Sequence, residues 1–94
     1  MKRISDLETK YVLEALQNEF QTSLNSVFNT RLEQKFAEVF RRKYAIGHVN
    51  GTATLHTSLV GLGVQPGDEV IVPPLTMSST AIAVLHNNSV PVFA

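Results

Sequence analysis

Positive charge stops at Lys43. All eight Lys and Arg residues lie at or before that position, and across residues 44–94 the only formal charges are Asp68 and Glu69. A free-standing domain covers roughly a quarter to a third of its surface with charged side chains, and these residue types are the ones least often buried. A stretch so poor in them is expected to be the inside of something larger. Residues 1–43 hold the other charges and read as a helical lead-in.

The rest of the composition narrows the class. At 94 residues the chain is one small domain or part of a larger one, and a chain of this size buries only about two-thirds of its unfolded surface. Hydrophobic residues at 44% and charged residues at 17% are ordinary globular values. No apolar run reaches the roughly 18 residues of a membrane helix, and Lys2 and Arg3 are not followed by the apolar segment of a secretory signal. Without cysteine, disulfides and thiolate metal sites are excluded, and a cytoplasmic location is the expectation. A net charge of zero lacks the basic footprint of a nucleic-acid binder.

Two periodicities divide the chain. Ser5-Asp6-Leu7-Glu8 is a capping box, and Leu13, Leu16, Phe20, Leu24 and Val27 behind it recur at helical spacing, with Asn25 and Ser26 as a break or kink. Thr30-Arg31-Leu32-Glu33 predicts a second box, opening a helix with Leu32, Phe36, Val39 and Phe40 on one face. Arg41, Arg42 and Lys43 suit the negative end of its dipole. Residues 44–49 then predict a short buried strand, and Asn50-Gly51-Thr52 a turn and helix start. Leu55, Leu59 and Leu62 mark a helix that ends near Gly61 or Gly63. Pro66-Gly67-Asp68 is a turn, and Val70-Ile71-Val72 a buried strand stopped by Pro73-Pro74. A helix carrying Ala81, Val84 and Leu85, capped by Thr76, Ser78 or Ser79, closes at Asn87-Asn88. Val90 opens a last strand, inside which the chain is expected to be cut. The implied fold class is α/β: N-terminal helices, then a βαβαβ run of parallel strands with helices on its faces.

One turn carries chemistry. At Val49-Asn50-Gly51-Thr52-Ala53 a strand runs through glycine into a helix. The free amides and positive dipole of a first helical turn favour an anion of phosphate size, and Gly51 permits close approach. Many such turns hold nothing, so the residues alone leave both readings open. Gly61-Leu62-Gly63-Val64-Gln65-Pro66 begins like a dinucleotide fingerprint, but it ends a helix and has proline at its sixth position, so it reads as a helix C-cap and turn. His48, His56 and His86 show no paired-ligand spacing, and no metal site is expected.

The segments Asn50-Gly51-Thr52-Ala53-Thr54-Leu55-His56, Pro66-Gly67-Asp68-Glu69-Val70-Ile71-Val72-Pro73, Thr80-Ala81, Ala83-Val84-Leu85 and Pro91-Val92-Phe93, in this order, resemble the DegT/DnrJ/EryC1/StrS family of pyridoxal 5′-phosphate (PLP)-dependent nucleotide-sugar aminotransferases. Leu32-Glu33, Phe36-Ala37 and Lys43-Tyr44-Ala45 fit the family's lead-in. The resemblance implies the start of a fold-type I cofactor domain over 44–94, behind a helical lead-in over 1–43. It also implies PLP as cofactor, with Gly51, Thr52 and Ala53 at its phosphate. Met77 stands where the family usually has an aromatic ring stacked on the pyridine; as a thioether it either lies against that ring or packs in the core. Thr76 and Ser79 reach cofactor or sugar, or simply cap a helix, and His56 packs or hydrogen-bonds. The family's Schiff-base lysine would lie beyond this stretch, so no catalytic residue is assigned, and the piece alone is expected to be inactive and not to fold stably.

The implied reaction moves an amino group, from glutamate as donor, to a nucleotide-linked keto sugar in amino-sugar and polysaccharide biosynthesis, within a homodimer. Two alternatives stand beside it. One is a pyridoxamine-phosphate-dependent sugar dehydratase of the same family; the other is a non-catalytic module that binds a partner through its two amphipathic helices.

Overall fold

The structure, a computed structural model, describes residues 3–18 and 26–94. In chain order it contains α1 (Asp6–Gln17), α2 (Val27–Val39), α3 (Gly51–Gly61), β1 (Glu69–Val72), α4 (Ser79–His86) and β2 (Val90–Phe93). The chain forms two compact units, Met1–Gly47 and His48–Ala94.

In the first unit, α1 starts at the expected capping box. The Glu8 amide donates to Ser5 Oγ at 3.2 Å while the Glu8 carboxylate accepts the Ser5 amide. Leu13 and Leu16 lie on this helix; Phe20 and Leu24 of the same predicted stripe, and Asn25, fall outside the described residues. The second helix corrects the expectation. It begins behind Ser26, and the Thr30 amide donates to the Ser26 carbonyl at 3.0 Å, so Thr30 lies inside the helix and the Thr30–Glu33 box is not its start. Packing explains the extra turn. Phe28, which that turn carries, meets Tyr11 edge-on at 6.3 Å, and the Arg31 guanidinium lies 5.4 Å above the Phe28 ring and 2.7 Å from Glu14.

The far end of α2 also differs from expectation. Arg41 adopts φ 51°, its amide bonds Glu38 and the Arg42 amide bonds Ala37. This paired arrangement closes a helix through a left-handed residue, a place that glycine fills most easily. The basic triplet therefore comes after the helix end, and the last turn of α2 contains no basic residue.

Residues 44–49 form no strand. A parallel strand exists only by pairing, and here the Gly47 amide donates to the Glu33 side chain at 2.8 Å instead of to a ladder. Val49 is 90% exposed. The first strand of the expected βαβαβ run is thus absent among the described residues, and the second unit has the element order αβαβ.

The second unit is built on a parallel pair. β1 and β2 align with Glu69 opposite Val90 and Val72 opposite Phe93. The Val90 and Ala94 amides donate to the Asp68 and Val72 carbonyls. Pro91, opposite Val70, lies between two such donors, so the amide it lacks would point away from β1. α4 crosses between the strands and buries Ala83 and Val84, the latter 2% exposed, with Val72 of β1 at 3%. The other face of β1 is open, with Ile71 75% exposed; the predicted burial of the whole strand holds on one side only.

The connections are specified by their residues. Gly63, φ +79°, closes α3, with its amide on Val60 and the Val64 amide on Leu59. Pro66 and Gly67, φ +89°, form the next turn; across it the Asp68 amide donates to the Gln65 carbonyl, and the Gln65 amide to Asp68 Oδ2 at 2.7 Å. Buried Ser89 donates to the Gln65 carbonyl at 3.0 Å, and Asn87 Nδ2 to the Val64 carbonyl at 3.1 Å. These bonds tie the end of α3 to the end of α4. Both helices therefore run opposite to the strands, and both start at the edge where β1 ends.

Candidate functional site

That edge is where ligands bind in parallel α/β sheets, and it collects the residues singled out from sequence. Asn50 is the N-cap of α3, in extended conformation, and its Oδ1 accepts the Ala53 amide at 2.9 Å. Being the first two amides of the helix, those of Gly51 and Thr52 have no acceptor within it. Ala53 differs from its two neighbours because its amide already has the Asn50 oxygen. The Thr54 hydroxyl donates to the Gly51 carbonyl at 2.6 Å and turns back along the helix.

The field at this turn suits an anion. No acidic residue stands in the first turn of α3, and no Lys or Arg in residues 44–94 competes for a negative group. Within this unit the positive end of the helix dipole is the source of positive potential at the turn. A Cβ built on Gly51 would meet nothing within 4 Å, so the space beside the free amides is open. The shifts in acidity belong to the helical unit. The amide and hydroxyl of Ser5 hold Glu8 below the usual carboxylate range; Arg31 does the same for Glu14 and is itself raised by it.

Met77 lies in the connection between β1 and α4 and is 75% exposed. Its carbonyl accepts the Thr80 amide at 3.1 Å. The expected caps do not form: Ser78 occupies the N-cap position of α4 without a side-chain bond to the helix. His48 bonds Thr57 Oγ1 at 3.0 Å, fastening the chain before the turn to α3. Among the described residues no three His, Cys, Asp or Glu side chains are placed to hold a metal ion, and no helix is long and apolar enough to cross a membrane. Sequence reading passed over Asn50 as a site residue; its signal was an N-cap residue type directly before Gly-Thr.

Over residues 2–94 the chain matches the DegT/DnrJ/EryC1/StrS aminotransferase family. The chain belongs to that family. It is 40% identical over 90 residues to GDP-perosamine synthase of Caulobacter vibrioides, a match that covers 96% of this chain and 24% of that protein. Among solved structures it superposes on an aminotransferase of Psychrobacter cryohalolentis with a TM-score of 0.84 and 31% identity, over 99% of this chain and 24% of the other. Against NtdA of Bacillus subtilis, solved with bound cofactor PMP, the TM-score is 0.78 with 29% identity, over 96% of this chain and 21% of that one. The chain thus spans about a quarter of the length of the curated relative it matches. These neighbours make the parallel unit part of an α/β fold of the PLP-dependent sugar aminotransferase type.

Proposed function

We propose that this chain forms the phosphate-holding part of a PLP-dependent aminotransferase acting on a nucleotide-linked keto sugar. The observation that carries the reading is the start of α3: two acceptorless amides, a neutral cap and open space, on the segment Gly51-Thr52-Ala53 that the family resemblance places at the cofactor phosphate. Gly51 and Thr52 donate their amides to that phosphate. Ala53 contributes if its amide is shared with, or released by, Asn50. Met77, exposed at the same edge, covers a face of the cofactor ring. When bound, PLP supplies the electron sink that lets an amino group leave one carbon and join another.

Glutamate as donor, amino-sugar and polysaccharide biosynthesis as purpose, a homodimer as assembly and the cytoplasm as location belong to the same proposal. The name and identity of the Caulobacter relative support its sugar-nucleotide part. No lysine follows Lys43 in this sequence, and no residue of the chain is assigned a catalytic role.

Gly51→Pro tests the site. Proline is tolerated in a first helical turn and removes one amide donor, and Asn50, at φ −164° and ψ 174°, already has the extended conformation a following proline demands. In the full chain, PLP binding followed by phosphorus NMR should weaken about 10- to 100-fold, the worth of one hydrogen bond to a charged group, while the far-UV circular dichroism stays unchanged. Undiminished binding in a folded variant would overturn the assignment.

A further inference from the structure

We infer that Asn50 and Gly51, adjacent in the chain, form a site of self-modification at which the Asn50 side-chain amide is lost to water by way of a cyclic imide. The Gly51 nitrogen attacks the side-chain carbonyl carbon of Asn50. The new carbon–nitrogen bond replaces the bond to Nδ2, and ammonia leaves with the proton that Gly51 gives up. Water then adds to either carbonyl of the ring and breaks its bond to the Gly51 nitrogen, leaving aspartate or isoaspartate in place of asparagine. The net reaction consumes water and releases ammonia, with no change of oxidation state.

The attack needs a main-chain amide that is not already held, and this separates Asn50 from the other asparagines whose following residue is described. After Asn29, Asn87 and Asn88 the next amide is engaged: Thr30 donates to the Ser26 carbonyl at 3.0 Å, Asn88 to Leu85 at 2.9 Å and Ser89 to Val84 at 3.1 Å. The Gly51 amide, first of α3, has no acceptor within its helix and donates to none among the described residues. Glycine also brings no side chain to hinder the ring. Ring closure turns Asn50 about ψ away from 174°, which gives up the bond from the Thr54 amide to its carbonyl. At 3.3 Å that bond is longer than a usual N–H···O bond, and it lies at a helix end, where helices fray. The negative charge that develops on Oδ1 during the attack falls at the positive end of the α3 dipole.

The consequence for binding rests on the cofactor-phosphate reading given above. A carboxylate still caps α3, so the helix persists, but it sets a negative charge beside the amides that would hold a phosphate. In isoaspartate the main chain also gains a methylene before Gly51, which moves the Gly51 amide. An empty site therefore drifts toward one that repels its anion, and engagement of the Gly51 amide by a phosphate slows the change.

Peptide mapping by mass spectrometry tests it on the full chain, held in mildly alkaline buffer with and without PLP. Without PLP, acid should replace amide at Asn50 at least about tenfold faster than at Asn29, Asn87 or Asn88, with matching release of ammonia. Asn50→Gln, whose longer side chain closes the ring far less readily, should stay unmodified, and saturating PLP should slow the wild-type conversion. Asn50→Asp should hold PLP at least about tenfold more weakly by phosphorus NMR, with unchanged far-UV circular dichroism. Conversion at Asn50 no faster than at the other three asparagines would overturn the inference, and an Asn50→Asp chain that binds PLP like the wild type would overturn its consequence. Conversion that PLP fails to slow would support the modification and count instead against the phosphate assignment.

Discussion

Met1–Gly47 and His48–Ala94 are organised at different ranges. In the first, the described bonds are mostly side chains closing short loops on their own helices: Ser5 with Glu8, Lys35 with Glu38, Asn18 with Glu14. None of its described helical residues is buried. In the second, the decisive contacts join distant residues. β1 pairs with β2 in parallel, Ser89 and Asn87 reach back to Gln65 and Val64, and Val72, Ala83 and Val84 form a small dry centre. The lesson concerns cooperativity: local closures fail one at a time, whereas a parallel pair with its crossover helix is lost as a unit.

Breaking the centre should have the largest effect. Val84→Ala removes buried methyl groups and should lower stability by about 2 kcal/mol. Native-state hydrogen exchange should show β1, α4 and β2 losing protection together, while α1 keeps its own; loss confined to α4 would contradict the cooperative picture. Gly63→Ala comes next, because a side chain at φ +79° costs about 1–2 kcal/mol, and a lower urea midpoint would register it. Ser5→Ala should cost about 0.5–1 kcal/mol, visible as fraying of the first turn of α1 with no change in exchange across the sheet. The smallest effect is electrostatic. Arg31 depresses the Glu14 pKa from its ordinary 4.5, so the pair's contribution is present above the unfolded value and disappears as pH falls through the lower folded one. In Arg31→Gln the Glu14 carboxylate should titrate closer to its ordinary range by NMR, with the second unit unaffected.

The same contrast governs what could be read from sequence. Ser5-Asp6-Leu7-Glu8 announced α1 because a capping box is complete within one turn. Gly63 and Pro66-Gly67 announced their turns because their residue types are nearly obligatory there. Thr30-Arg31-Leu32-Glu33 misled, since the same pattern occurs inside a helix that the Phe28–Tyr11 contact extends backward to Ser26. Residues 44–49 had strand composition, but composition does not provide a pairing partner. The left-handed turn at Arg41 carried no glycine to mark it. At the candidate site, Gly51-Thr52 was legible as a helix start, while the engagement of the Ala53 amide by Asn50 required coordinates. The edge-on contact of the His56 and His86 rings was beyond any spacing rule, because it is made by α3 packing on α4.

Pro91 has one further consequence. Exposed strand margins invite pairing with other chains, and proteins blunt them with proline among other devices. On the side of β2 away from β1, the missing amide of Pro91 removes a donor from the middle of a four-residue strand. Any strand pairing on that side would meet a broken row of hydrogen-bond donors. Within these residues Pro91 therefore leaves the β1–β2 register intact while withholding a donor from the opposite side of β2.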